Sequence, residues 1–100
     1  MSLEKRQHER VVARYPVQIC VGEEATISGT VENLGALGAL ISTVELEPPL
    51  DIGSELDLTI AVSGKGAIEV SGKILRVDQE FVDGEVRRAF AVRFDQAIEI

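Results

Sequence analysis

The sequence contains little cysteine, few aromatic residues and no long apolar run. Cys20 is the single cysteine among 100 residues, which excludes an intramolecular disulfide and a cysteine-rich metal site. The sequence has one Tyr, three Phe and no Trp, which are few aromatic side chains for an RNA-binding sheet that stacks bases. No apolar run reaches the roughly 20 residues that span a bilayer, and the N-terminus is charged where a signal peptide needs an apolar segment. We therefore expect a cytoplasmic protein without membrane insertion.

The charge balance sets the N-terminus apart from the rest of the chain. The net charge of −7 argues against duplex nucleic acid, whose binding needs an extended basic surface. Residues 1–16 nevertheless carry a balance of +2 and residues 17–100 one of −9, the basic groups of the first segment being Lys5, Arg6, Arg10 and Arg14. Because a guanidinium grips a phosphate or stacks on a purine, this arm predicts a compact anionic ligand. The alternative is a solvated, partly disordered terminus.

Period-2 alternation of apolar and polar residues predicts six strands. They cover residues 17–21, 25–32, 39–43, 55–62, 67–78 and 87–94, with glycine- and proline-rich turns between them and no confident helix. Residues 79–86 are interpreted as an acidic loop. Short strands at this spacing indicate an all-β protein, a small six-stranded antiparallel β-barrel. We expect the barrel domain at residues 15–100, preceded by a flexible basic N-terminal arm at residues 1–14.

Two of the predicted strands contain arginines that do not fit a simple alternation of buried apolar and exposed polar residues. Arg76 interrupts the apolar face that begins at Ile68, so either the strand twists out of the core there or Gly72 marks a bulge that resets the register. The last strand carries Arg87, Arg88 and Arg93, which we expect to face solvent or to pair with the acidic surface; the lesser alternative is that one of them borders a ligand.

One glycine-rich segment interrupts the alternation between the second and third strands. It reads Asn33-Leu34-Gly35-Ala36-Leu37-Gly38, and its residues suit a turn that lets the backbone approach a ligand. It is not a phosphate-binding P-loop, because no Gly-Lys-Ser/Thr ending follows.

The arm and this turn together resemble the PilZ domain family. The family's Arg-x-x-x-Arg arm is matched by Arg6-Gln7-His8-Glu9-Arg10, and its Asp/Asn-x-Ser-x-x-Gly turn by the segment from Asn33 to Gly38, about 23 residues further on. The likeness extends from residue 4 to about residue 95 and includes the closing strand at Phe90–Phe94. Neither motif is specific alone, but their order around two strands is typical of the family.

The resemblance implies a bacterial receptor for cyclic di-GMP, a ligand with two phosphates and two purines. Arg6 and Arg10 would then hold phosphate and guanine groups, with Lys5 and Arg14 as auxiliary residues. Asn33 would hydrogen-bond a guanine edge, unless it serves only to form the turn, and Gly38 would keep the turn tight. The ligand would be the only small molecule required, with no cofactor and no metal, and a downstream protein partner would read the ordering of the arm.

The sequence departs from the family pattern at Gly35, which stands where the motif has serine. Loss of one hydroxyl contact costs about 0.5–1.5 kcal/mol, a factor of about 2 to 13 in affinity. Gly35 therefore also favours the alternative of a degenerate adaptor that has lost the nucleotide and acts by protein–protein interaction. An enzyme is not expected, because His8 has no nucleophile placed beside it and the carboxylates show no acid–base spacing.

Overall fold

Six antiparallel strands close into a barrel. The computed structural model describes residues 11–23, 25–64 and 66–99, so the first ten residues of the arm predicted at residues 1–14 lie outside the described residues. The strands are β1 (Val11–Val21), β2 (Ala25–Leu34), β3 (Gly38–Thr43), β4 (Glu55–Val62), β5 (Gly66–Val82) and β6 (Glu85–Phe94). Their order around the barrel is β1-β2-β3-β6-β5-β4, closed by pairing of β1 with β4. The predicted six-stranded antiparallel barrel is confirmed.

The core lies inside the barrel and follows the alternation of the sequence. In β4, the predicted face of Leu56, Leu58, Ile60 and Val62 is buried while the residues between are exposed. Equivalent alternate residues of the other strands meet them, including Ile19, Ile41 and Phe90. Because a fully buried side chain of this size contributes about 1.5–3 kcal/mol, this shared interior holds the six strands in one register. None of the described residues forms a helix long and apolar enough to cross a bilayer.

The first strand starts earlier than predicted. It begins at Val11 rather than residue 17, so the boundary predicted between residues 14 and 15 lies inside β1. Its register with β2 shifts between Val12 and Tyr15, and this irregularity hides the period-2 pattern. Pro16 is accommodated because β1 pairs with β4 only from Val17 onward, and proline is tolerated where one side of a strand is free.

The acidic loop predicted at residues 79–86 is wrong, because most of that segment is strand. β5 continues to Val82 and β6 starts at Glu85, joined by Asp83 at a φ of 51° and Gly84 at a φ of 81°. Positive φ at both central residues is the two-residue hairpin geometry that Asp-Gly favours. The turn signal was present, and the acidic composition of the segment obscured it.

A bulge in β5 explains the position of Arg76. The register with β6 shifts between Ile74 and Arg76, so Leu75 is the extra residue. Ile74 is buried, and Leu75 and Arg76 both lie outside. The bulge resets the register, as one alternative predicted, but it lies at Leu75 and not at Gly72. Gly72 instead permits close packing, since a Cβ there would lie 2.5 Å from the carbonyl oxygen of Arg93.

Arg88 is buried, contrary to the prediction that it faces solvent or forms an ion pair. Its side chain is 5% exposed, and its Nε and Nη1 donate to the carbonyl oxygens of Glu45 at 2.9 Å and Pro48 at 2.7 Å. Burial lowers the pKa of Arg88, opposed by the nearby carboxylates of Glu47 and Glu45. Arg88 therefore holds the connection between β3 and β4 against β6.

Candidate functional site

The turn between β2 and β3 is short and tightly held. The chain leaves the sheet only at residues 35–37, and the Gly35 N–H donates to the Gly38 carbonyl at 2.9 Å. Gly38 pairs with Arg93 of β6, and a Cβ on Gly38 would collide with the carbonyl oxygen of Val92. Gly38 therefore lets β3 approach β6 closely, which fixes where the turn sits.

Asn33 faces outward at the end of β2 because of a second bulge. The register between β2 and β3 shifts between Val31 and Asn33, which leaves Glu32 as the extra residue. Asn33 pairs with Val12 on one side and with Leu40 on the other. The bulge thus sets the half-buried Asn33 beside the turn instead of inside the barrel.

Cross-strand pairing places Asn33 in a row of residues on the outer surface of the barrel. Leu40 pairs with Ala91, and Ala91 pairs with Arg76, so Asn33 and Arg76 lie in one row on the outer face. A groove of about 480 Å³ runs along the part of the row formed by Leu40, Ala91 and Arg76. It is lined by residues of the turn, β3, β5 and β6, namely 35–40, 75–76 and 91–93.

The groove carries positive charge on an acidic protein. Arg76 and Arg93 line it. Lys73, the cross-strand partner of Arg93, lies outside the lining and pairs with Glu55, with 3.8 Å between its Nζ and the Glu55 Oε1. Arg76 is 65% exposed and contacts Asp78, with 3.1 Å between its Nε and the Asp78 Oδ2. Sequence reasoning did not place Arg76 at the site, and it included Arg93 only among three arginines, with one of them bordering a ligand as the lesser alternative. The interrupted apolar face at Arg76 was the available signal, because it marked a strand position that turns outward.

Arg14, expected as an auxiliary residue, is joined to Glu32. Its Nε lies 3.1 Å from the Glu32 Oε1, and the Ser42 Oγ donates to the other carboxylate oxygen at 2.7 Å. Glu32 directly precedes Asn33 in the chain. A carboxylate therefore stands at the border of the predicted site, and it already engages one of the arginines.

The remaining predicted residues, Lys5, Arg6 and Arg10, lie outside the described residues. Their attachment point is described. Arg10 is bonded to Val11, which pairs with Leu34, and Val12 pairs with Asn33. The arm therefore joins the barrel beside the turn between β2 and β3.

A second groove, of about 680 Å³, differs in charge. It lies between the β4–β5 face and residues 95–98, and Asp57, Glu69 and Asp95 line it. At its border, a hydrogen bond with Asp95 raises the pKa of Glu55, as does the charge of Asp95. Three carboxylates would repel an anionic ligand, so charge favours the smaller groove for phosphate. Within the described ranges, no three His, Cys, Asp or Glu residues are grouped to hold a metal ion.

Solved structures share this barrel. The Bacillus subtilis inhibitor of motility, MotI/DgrA, matches with a TM-score of 0.73 at 18% identity, covering 96% of this chain and 45% of that one. The PilZ domain with c-di-GMP of YcgR from Escherichia coli matches with a TM-score of 0.76 at 14% identity, covering 92% and 79%. The PilZ domain of CeSA from a cellulose-synthesizing bacterium matches with a TM-score of 0.61 at 18% identity, covering 92% and 83%.

The chain thus spans less than half the length of MotI, and these identities establish the fold alone. No protein of curated function matches its sequence. The sequence itself matches the PilZ domain over residues 4–100, a range that includes the Arg-x-x-x-Arg segment, the turn and all six strands. The chain therefore belongs to the PilZ domain family.

Proposed function

We propose that this chain is a bacterial second-messenger receptor that binds cyclic di-GMP at the turn between β2 and β3. The observation that carries the proposal is the pairing of Val12 with Asn33. Through it, Val11, the residue bonded to the end of the Arg-x-x-x-Arg segment, lies beside the Asn-x-Gly-x-x-Gly turn, which is far away in the sequence.

The chemistry of the arm suits the ligand. Arg6 and Arg10 can neutralise the two phosphates, and a guanidinium plane stacks well on a purine face. The Asn33 amide offers a donor and an acceptor to a guanine edge. The groove of about 480 Å³ falls within the roughly 300–1,000 Å³ typical of small-molecule sites.

Two further cations support an anionic ligand in this groove. Arg93 lies opposite Gly38, and Arg76 stands in the row of Asn33. Neither belongs to the two sequence motifs. Because the body of the protein is otherwise acidic, their placement on the groove concentrates positive charge where the phosphates would lie.

The proposed relay is ordering of the arm. Binding would fix residues 1–10 over the groove, and the newly formed surface would be read by a partner protein. A degenerate adaptor that does not bind nucleotide is the second candidate. Two observations favour the adaptor. Gly35 in place of serine removes a ligand contact, and the ion pair with Glu32 occupies Arg14.

Isothermal titration calorimetry with cyclic di-GMP separates the two candidates. We expect saturable binding by the wild-type chain and its loss in Arg6→Ala and Arg10→Ala. Arg87→Ala is the matched control, because it removes one arginine far from the turn. Flat heats from folded wild-type protein would support the adaptor. Binding that persists in both arm variants would place the site elsewhere.

A further inference from the structure

The end of the barrel opposite the turn bears a protruding hairpin. Pairing of β3 with β6 ends at Thr43 and Arg88, and pairing of β4 with β5 ends at Glu55 and Lys73. Residues 79–87 therefore form a two-stranded ribbon with no third strand among the described residues. An isolated ribbon of this kind is marginally stable in water, so apolar residues exposed on it call for a reason beyond folding.

One face of the ribbon is apolar and open to solvent. Phe81 is 74% exposed, and its cross-strand partner Val86 is 37% exposed. Alternation places Arg88 on the same face, and Arg88 holds the segment around Leu46 through the Glu45 and Pro48 carbonyls. Leu46 is itself 46% exposed. We call Phe81 and Val86 the apolar tip; Leu46 belongs to the neighbouring connection that Arg88 holds.

Acidic residues surround the apolar tip. Glu80, Asp83 and Glu85 are exposed, and none of the three forms an ion pair within the described residues. Arg87 stands opposite Glu80, so residues 79–87 keep an excess of two negative charges. This charge opposes docking of a second copy of the chain through the same tip, and it opposes an anionic membrane surface.

We propose that the apolar tip docks into an apolar pocket rimmed by lysine and arginine on a partner protein. A large aromatic side chain entering a pocket is the usual energetic centre of an interface, and the acidic rim adds steering and specificity. The proposal goes beyond nucleotide binding and does not require it, because the tip and the turn lie at opposite ends of β6.

Photo-crosslinking in the producing cells tests the proposal. Phe81 is replaced by p-benzoylphenylalanine in the full chain, and the cross-linked protein and its cross-linked segment are identified by mass spectrometry. Ile52, 69% exposed and outside the tip, receives the same photoreactive residue as the matched control. The partner is then purified, and its affinity is measured for wild-type chain, Phe81→Ser and the Glu80→Lys/Glu85→Lys double variant.

The expected result is an adduct formed from position 81 and not from position 52, on a lysine- and arginine-bearing segment of another protein. Phe81→Ser and the charge reversal should each weaken the purified complex at least tenfold. Both variants should keep the thermal unfolding midpoint of the wild type, because the altered side chains are exposed. Any one of five results would overturn the proposal. The first three concern the cross-link: no adduct, equal labelling from both positions, or an adduct with the chain itself. The other two are a complex whose affinity does not change on charge reversal and binding of the chain to phosphatidylglycerol vesicles.

Discussion

Glu32→Gln tests whether the carboxylate beside Asn33 opposes an anionic ligand. Glu32 holds Arg14 at 3.1 Å and accepts a hydrogen bond from Ser42. In glutamine the side-chain oxygen can still accept from Ser42, while the negative charge is removed. The exposed ion pair with Arg14 stabilises the fold by about 0–1 kcal/mol, so the barrel should remain intact.

The gain in affinity follows from Coulomb's law. At about 10 Å, a carboxylate and a phosphate repel by about 0.4 kcal/mol in bulk water and about 1.7 kcal/mol at an effective dielectric constant near 20. These energies correspond to a Kd that is about 2 to 18 times lower in the variant. Freed from Glu32, Arg14 also becomes available to the ligand. Salt should reduce the gain, because the Debye length is about 10 Å at 0.1 M ionic strength.

The assay is calorimetric titration with cyclic di-GMP at low and high salt. Glu69→Gln is the matched control: it removes the same charge, but Glu69 lines the other groove. We expect Glu32→Gln to bind more tightly than Glu69→Gln, with the difference shrinking at high salt. Equal affinity of the two variants, or weaker binding by Glu32→Gln, would refute the placement of the phosphates near Asn33.

Three further changes test the turn and the acidic surface. Gly35→Ser should lower the Kd for cyclic di-GMP by a factor of about 2 to 13, because it restores a hydroxyl contact; calorimetry showing no gain would mean that the hydroxyl has no partner in the complex. Gly38→Ala should destabilise the fold by about 1–3 kcal/mol, because its Cβ meets the Val92 carbonyl; a urea unfolding curve superimposable on the wild type would contradict this packing. A hydrogen bond with Asp95 raises the pKa of Glu55 above its ordinary 4.5. The folded state therefore binds this proton more tightly than the unfolded state, and the stability that the proton contributes is lost as pH rises through the raised pKa. Glu55→Gln should flatten the pH dependence of Tm in that window, and an unchanged profile would show no such coupling.

Most of the barrel follows from local alternation, and β4 shows why. Every second residue of that strand is buried, so a period of two is enough to place it. The same reasoning failed where register changes, because a bulge shifts the face of all later residues. At Leu75 and between Val12 and Tyr15, the shift depends on which strand lies opposite, and this cannot be read from a single segment.

The failures at Arg88 and at residues 79–86 have different causes. Arg88 is buried because carbonyl oxygens of a connection 40 and 43 residues away in the sequence accept its hydrogen bonds, a tertiary effect that overrides the usual exposure of arginine. The segment from 79 to 86 carried an Asp-Gly turn signal that local reasoning could have used. Arg76 and Arg93 line the groove only because β6 pairs with both β3 and β5, which requires the topology.

Part of the candidate site, like part of the fold, could be predicted from the sequence. Asn33, Gly35 and Gly38 were selected from sequence. In the structure Gly35 and Gly38 line the groove, and Asn33 lies near the end of β2, outside the lining but in the same cross-strand row. Their roles toward a ligand, and those of Arg6 and Arg10, remain predictions. The placement of Val11, where the arm motif is attached, beside the turn depends on the pairing of β1 with β2, which the sequence indicated only through the order of its two motifs.

The most direct test of cyclic di-GMP binding at this turn is nuclear magnetic resonance of the uniformly ¹⁵N-labelled chain during titration with the nucleotide. We predict that the largest amide shifts fall on residues 33–40, with further shifts at 75–76 and 91–93, the lining of the groove of about 480 Å³. Arg10→Ala should abolish them. Shifts concentrated on residues 57–59, 69–71 and 95–98, which line the acidic groove, or an unchanged spectrum at saturating nucleotide, would contradict the account.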